Sequence, residues 1–265
     1  MSEIASPLDA VGFLTRSENR VHALNYLADN PADRNELAAT IGISRVTAQR
    51  ILDDFARHGW VSADGHTYRA TQIGSIVSEE FGSLIDVVET SQRLAAIVPW
   101  FPDEFDVDLC RLLDSTVTLP THGDPLAPLR HSAKLMRSAQ TVRGMGAGIA
   151  PDALAASHDA VVTDGQSFEV VFSDEVLHVI ASDARMSQLL REMLDAGATV
   201  YSHEDVLHLT GEFDGEVVFV GVADESGIPR GGVESRDEAV LNWFGTTFER
   251  YRDEAERVDS AQFKP

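Results

Sequence analysis

Cysteine is all but missing from this 265-residue chain. Cys110 stands alone, which excludes an internal disulfide and any cysteine metal cluster built within one chain. Long apolar runs are missing as well. Nothing approaches the roughly 18 residues that a membrane-crossing helix needs, so no membrane association is expected. The opening MSEIASPLDAVGF lacks a basic stretch followed by an apolar core, which argues against secretion. A cytoplasmic location is the expectation. Lysine occurs only at Lys134 and Lys264, and arginine supplies the rest of the 21 basic residues against 43 acidic ones, for a net charge of −22.

That shortage of positive charge is uneven. Residues 1–75 hold 9 acidic and 7 basic residues, while residues 76–265 hold 34 and 14. Acid-rich, lysine-poor composition maintains solubility in molar salt. The acids are dispersed rather than blocked, which fits halophily better than an acidic patch made for a basic partner.

Against this background the run RNELAATIGISRVTAQRILDDFARHGWVSADGHTYRAT, residues 34–71, has the parts of a winged helix-turn-helix. Ser44 follows the turn Ile41-Gly42-Ile43 and is placed to cap a second helix. Ala48, Ile51, Leu52 and Phe55 then fall on one helical face. The opposite face begins with Arg45, Val46, Gln49 and Arg50, whose side chains suit base edges and phosphates in a major groove. Ser44 and Thr47 are placed to touch phosphate. Asp53 and Asp54 would repel it, so only the first two turns suit DNA. Asp64-Gly65 suits a tight hairpin turn between Trp60-Val61 and Thr67-Tyr68-Arg69, which makes a wing. The expected DNA contacts are Arg34, Ser44, Arg45, Val46, Thr47, Gln49, Arg50, His66, Tyr68 and Arg69. The bland alternative is a helical module used for protein contacts.

Before this motif, Ser17 caps a helix carrying Val21, Leu24 and Leu27, and Asn30-Pro31 stops it. After it, Thr71 caps a long helix with apolar Ile73, Ile76, Val77, Leu84, Ile85, Val88, Leu94 and Ile97. That stripe reads either as a homodimer seam or as packing against its own chain, and Gly82 interrupts it. Prolines punctuate residues 99–128, with a short helix expected at 108–114. From about Arg130, helix and strand alternate: helix 129–139, strand 141–145, helix 151–157, strand 168–172, helices 175–181 and 184–196, strands 199–202, 206–210 and 216–222, and helix 237–257. The fold class expected is α+β or α/β, a winged helix-turn-helix followed by an α/β sandwich with a mixed sheet. The domains are a DNA-binding domain at 1–72, a linker helix and interdomain segment at 73–128, and an effector or assembly domain at 129–258.

The stretches FLTRSENRVHALNYL, ISRVTAQRILDDFARHGWV, LDSTVTLPTHGDPLAPLRHSAKLMRSA, LLREMLDAGATVYSHEDV and GVESRDEAVLNWFGTTFERYRDEA resemble, in order, the haloarchaeal winged-helix regulators with a methanogenesis-regulator (FilR-type) middle domain. They also resemble TrmB-type regulators. The resemblance covers nearly the whole chain and implies a one-component transcription regulator: a DNA reader joined to a domain that senses a small molecule or mediates assembly. It further implies a sandwich like half of a phospholipase D. Such enzymes need a histidine nucleophile, a lysine two residues on and an aspartate five further. With Asp214 as the aspartate, the other two positions hold Leu207 and Leu209. One residue later they hold His208 and Thr210, with Gly215 for the aspartate. Neither register supplies the cationic clamp of phosphoryl transfer, so no catalytic residue is expected.

Two weaker signals remain. Gly144-Met145-Gly146-Ala147-Gly148 reads as a strand-to-helix turn that could bring backbone amides to an anionic ligand, or as a plain tight turn. Gly144, Gly146, Gly148 and His208 are the candidate ligand residues. His203, Glu204, Asp205 and His208 match no metal-binding spacing, so no metal or cofactor is expected. Three readings stay open: a ligand-responsive regulator, a DNA-binding assembly factor without a metabolite, and an enzyme with a vestigial helix-turn-helix. An apolar pocket under the glycine turn would favour the first.

Overall fold

Capping residues and left-handed glycines shape the first unit of the computed structural model, which describes residues 6–149 and 151–263. This unit runs to Val88. It begins with α1 (Pro7–Thr15), which the sequence reading did not anticipate, and α2 (Glu18–Asp29). Ser17 holds the N-cap position of α2 but makes no side-chain cap bond. After β1 (Ala32–Asp33), Asp33 closes a capping box on α3 (Arg34–Ile41). Its Oδ1 accepts the amides of Asn35 at 2.6 Å and Glu36 at 2.9 Å, while its own amide donates to Glu36 Oε2. Gly42, at φ 75°, ends α3 in the left-handed region and starts the turn into α4 (Arg45–Arg57).

β2 (Val61–Asp64) and β3 (Thr67–Ala70) form the expected hairpin, and β1 adds to β3 to give the sheet order β1-β3-β2. Leu24, Leu37, Leu52, Phe55 and Trp60 fill the core beneath. Thr71 opens α5 (Gln72–Ala95), accepting the Gly74 amide at 3.0 Å and donating to the Gly59 carbonyl at 2.7 Å. Gly82 does not break α5; a methyl there would meet open space. Phe81 is buried in this core, whereas Ile73, Ile76, Leu84, Ile85 and Val88 are exposed.

The second unit, from Glu89, takes in much of what the sequence reading assigned to an interdomain segment. Ile97, Leu112 and Val117 are buried in its core, with the 108–114 region a short 3-10 helix at Leu109–Leu112. Its elements are β4 (Thr116–Thr118), α6 (Ala127–Ser138), β5 (Thr141–Gly146), α7 (Pro151–Val162), β6 (Ser167–Ser173), α8 (Asp174–Ser182), α9 (Ala184–Asp195), β7 (Thr199–His203), β8 (Leu209–Phe213), β9 (Val217–Ala223), β10 (Pro229–Ser235), α10 (Glu238–Glu254) and β11 (Glu256–Arg257). The strands make one mixed eight-stranded sheet in the order β11-β7-β6-β5-β8-β9-β10-β4. β5, β6 and β7 are parallel, joined by helical crossovers; the chain then returns to the other side of β5 and finishes with antiparallel strands. Period-two alternation separates two cores. Val142, Phe168, Val170, Phe213 and Phe219 face the side packed with α7 and α9, and Met145, Val171, Val218, Val220 and Val233 face the α10 side.

Two expectations need correction here. The strand expected at 206–210 is β8, at Leu209–Phe213; Val206 and Leu207 are buried but outside any strand. Val206 and Leu207 are apolar like the residues of the strand that follows, so side-chain pattern alone does not separate them from β8. In addition β4, β10 and β11 were not foreseen, because Gly231-Gly232 in β10 carries no side-chain pattern and the other two are only three and two residues long. Among the described residues no helix is long and apolar enough to cross a membrane.

Candidate nucleic-acid interface and an apolar cavity

Serine is a strong N-cap because its oxygen replaces a missing carbonyl, and Ser44 Oγ accepts the Thr47 amide at 3.1 Å. Its hydroxyl also shares a 2.8 Å hydrogen bond with Thr47 Oγ1. Two hydroxyls bonded to one another leave a single proton free, so this pair supplies one phosphate donor rather than two. Arg45 and Arg50 are exposed, and neither makes an ion pair among the described residues. Val46 is 82 % exposed on the first turn of α4. A bare valine there costs solvation unless it meets an apolar group such as a thymine methyl.

Gln49 is less free than the sequence suggests. Its amide nitrogen donates to Asp53 Oδ1 at 2.8 Å and lies 3.4 Å from the Tyr68 hydroxyl, while Arg34 NH1 lies 3.5 Å from its oxygen. Gln49 therefore links α3, α4 and the wing. Arg34, His66 and Arg69 are exposed, and Tyr68 is half-buried. Asp54 corrects an expectation. It pairs with Arg57 and lies 3.9 Å from Arg20 NH2, with only 13 % of its side chain exposed. It therefore does not face phosphate. Arg20 is itself pinned over the Phe13 ring at 4.0 Å, and burial lowers its pKa below the usual guanidinium value. Arg20 carried no sequence signal because its partner lies 34 residues away.

In the second unit, the sheet side facing α6 and α7 holds a cavity of about 430 Å³. The strand alternation that aims Val142 and Phe168 into the core aims Gly144 and Gly146 of β5, Gly211 of β8 and Gly221 of β9 the same way. Four missing side chains on three neighbouring strands leave a hollow floor. Gly148 and His208 also line the space. The candidate ligand residues are thus brought together, but for a different reason than expected. Gly144 and Gly146 lie inside a central strand, paired on both sides, rather than in a turn. Their backbone groups serve the ladder, so they form no anion-binding nest.

On the other side of the sheet, Arg143 grips Glu212 directly across β5 and β8, through Nε–Oε1 at 3.0 Å and NH2–Oε2 at 2.8 Å. The hydrogen bonds to Glu212 raise the Arg143 pKa, and its guanidinium lies 5.4 Å from the Phe248 ring of α10. Asp214, at φ 55°, uses one carboxylate oxygen to accept the amides of Gln140 at 2.7 Å and Thr141 at 2.8 Å. Those bonds hold its pKa below the usual carboxylate value, led by the Thr141 amide. His203 accepts the Asp205 amide at 3.1 Å and packs edge-on to Tyr251, whereas His208 lies beside Gly227 at the cavity.

A winged-helix unit ahead of a three-layer α/β unit is a two-part architecture of regulator type, and the family comparisons agree. Residues 8–93 match the model described as HVO_A0261 N-terminal domain, and residues 125–254 match the Methanogenesis regulatory protein FilR1, middle domain. The resemblance drawn from the residues is thereby shown in both halves of the chain. No curated protein matches. Among solved structures, the archaeal chromatin protein TrmBL2 is 16 % identical with a TM-score of 0.44, the match covering 96 % of this chain and all of that one. The phospholipase D family member Nuc from Salmonella typhimurium is 13 % identical with a TM-score of 0.43, over 55 % of this chain and 97 % of that one. NucT from Helicobacter pylori is 12 % identical with a TM-score of 0.43, over 55 % and 99 %.

Proposed function

We propose that this protein is a one-component transcription regulator that reads double-stranded DNA with α4 and the wing and takes a small-molecule effector in the second unit. The observation carrying the DNA reading is the exposed first half of α4. Arg45, Val46 and Arg50 stand out from a winged-helix core that buries Ala48, Ile51, Leu52 and Phe55 on the opposite face. Regulator function is supported by the match of residues 125–254 to the FilR1 middle domain. Effector sensing is supported by the cavity, which an assembly factor would not need.

An enzyme reading is disfavoured by the residues at the β8–β9 hairpin. Asp214 is committed to backbone amides, and the lysine position of either phospholipase register holds Leu209 or Thr210. The protein acts as a homodimer on an inverted repeat, since one recognition helix covers too few base pairs for specific affinity. Ile76, Leu84, Ile85 and Val88, exposed along α5, are the seam we favour. Promoter occupancy mapped with and without the protein yields the operator. A mobility shift on that operator then tests the reading: Arg45→Ala and Arg50→Ala should each weaken binding, and unchanged affinity in both would reject it.

A further inference from the structure

Resting on the effector reading just given, we propose that the second-unit cavity takes a neutral, predominantly apolar small molecule with one hydrogen-bonding group, held over the glycine floor of β5, β8 and β9 with Ser132 as its polar contact. The volume, about 430 Å³, lies within the range of small-molecule sites. Among the described residues the lining contains no aspartate, glutamate, lysine or arginine, and His208 is its one titratable side chain. A cation placed there would lose its water without gaining a counter-charge. An anion would find none beyond the His208 ring, at the cavity's edge by the β9–β10 turn, and apolar contacts do not offset that cost. The floor amides offer no alternative, because Gly144 and Gly146 are paired into the ladder on both sides. Phe168, Phe172 and Phe213 supply aromatic surface instead.

Thr210 alternates with Glu212 toward the α10 side of the sheet, which leaves Ser132 and His208 as the lining side chains with polar atoms and no hydrogen-bond partner among the described residues. Ser157 Oγ is already committed, donating to the Ala153 carbonyl at 3.0 Å with Met136 Sδ also 3.0 Å away. Ser132 is 4 % exposed, lines the cavity from α6 and has no side-chain partner among the described residues. Its hydroxyl opens on the cavity, where it can donate to or accept from a ligand group. The glycines make the site separable from the fold. A Cβ on Gly144 would come no closer than 3.4 Å to any atom, the Thr210 carbonyl, and one on Gly146 no closer than 3.5 Å. A Cβ at either position therefore points into the hollow at ordinary van der Waals distance from its neighbours.

The test uses two dyes with one skeleton, N-phenyl-1-naphthylamine and its sulfonated form 8-anilino-1-naphthalenesulfonate, titrated by fluorescence into the full-length protein in molar KCl. The neutral dye should saturate at one site per chain and bind at least tenfold tighter than the sulfonate. Gly144→Val should weaken the neutral dye at least tenfold while leaving the thermal midpoint unchanged or higher. Ser132→Leu, on a different element, repeats the measurement should Gly144→Val fold poorly. Equal or tighter binding of the sulfonate, or unchanged neutral-dye affinity in folded filled variants, would overturn the proposal. The dyes report on the cavity alone and the mobility shift on DNA reading, so either can fail without the other.

Discussion

Gln49 shows how a single side chain can be both well chosen for DNA and poorly available to it. A glutamine that pairs with adenine must first release Asp53 and Tyr68, so part of the gain is spent on exchange. Arg45 and Arg50 have no such bonds to break among the described residues. Arg50→Ala should therefore cost about 1–3 kcal/mol of operator affinity, and Gln49→Ala less, in mobility shifts against the same site. Asp53→Asn should strengthen binding at low salt by removing a charge beside the groove. Equal losses for Gln49→Ala and Arg50→Ala would contradict this ranking. In the second unit, Arg143→Met leaves Glu212, with 11 % of its side chain exposed, without its bidentate partner. The expected loss is about 1.5–3 kcal/mol of stability, measured by urea unfolding. Replacing both partners with apolar residues should recover part of it.

Elements were legible where side chains announce them. α4 was legible because four buried residues recur at helical spacing and Ser44 caps it; the wing was legible because Asp64-Gly65 separates two strand-like runs. β5 was legible as a strand at 141–145, but Gly144 and Gly146 also read as the start of a turn, because a glycine carries no side chain to show which face of a strand it occupies. Likewise, Asp54 looked like surface charge because its partner Arg20 comes from another helix. Contacts across the fold are not written in local pattern. The start of α5 offers a test at this scale. Gly74 approaches Trp60 so closely that a Cβ would collide with the Trp60 carbonyl. Gly74→Ala should cost the first unit about 1–3 kcal/mol through overpacking. Gly82→Ala, in open space on the same helix, should stabilise by helix propensity. Circular dichroism melts of the two variants should shift in opposite directions.

For the whole molecule, the governing quantity is the net charge of −22. Binding to DNA ordinarily releases condensed cations and weakens steeply with salt. On the proposed reading, Arg34, Arg45, Arg50 and Arg69 would approach the duplex with Asp53 and Asp64 beside them, and the rest of the chain is strongly acidic. Cations should then be taken up to screen those carboxylates as others leave the DNA. Affinity should stay flat or rise toward molar KCl, where the Debye length is about 3 Å. A slope as negative as several released ions per complex would refute this.

Acid sensitivity follows from a different set of groups. Amide hydrogen bonds hold Asp33, Asp214 and Asp224 below the usual carboxylate pKa, with the amides of Glu36, Thr141 and Ile228 the largest causes. A lowered folded-state pKa means the contribution is complete above the unfolded value of about 4 and is lost as pH falls through the folded one. In molar KCl, with general repulsion screened, the urea midpoint should be level from pH 5 to 7 on this account and drop below about pH 4. A midpoint that rises on acidification below pH 4 would show that relief of residual repulsion dominates.

The glycine floor also has a genetic side. Hydrogens, rather than side chains, set the depth of the cavity, and one base change turns a glycine codon into one for alanine or valine. Each such step at Gly144 or Gly146 removes a defined slice of volume while leaving strand pairing and the sequence of α4 untouched. Ligand preference in this architecture can therefore drift in small increments after gene duplication, with the operator unchanged. Sister regulators would diverge first in what they detect and only later in where they bind.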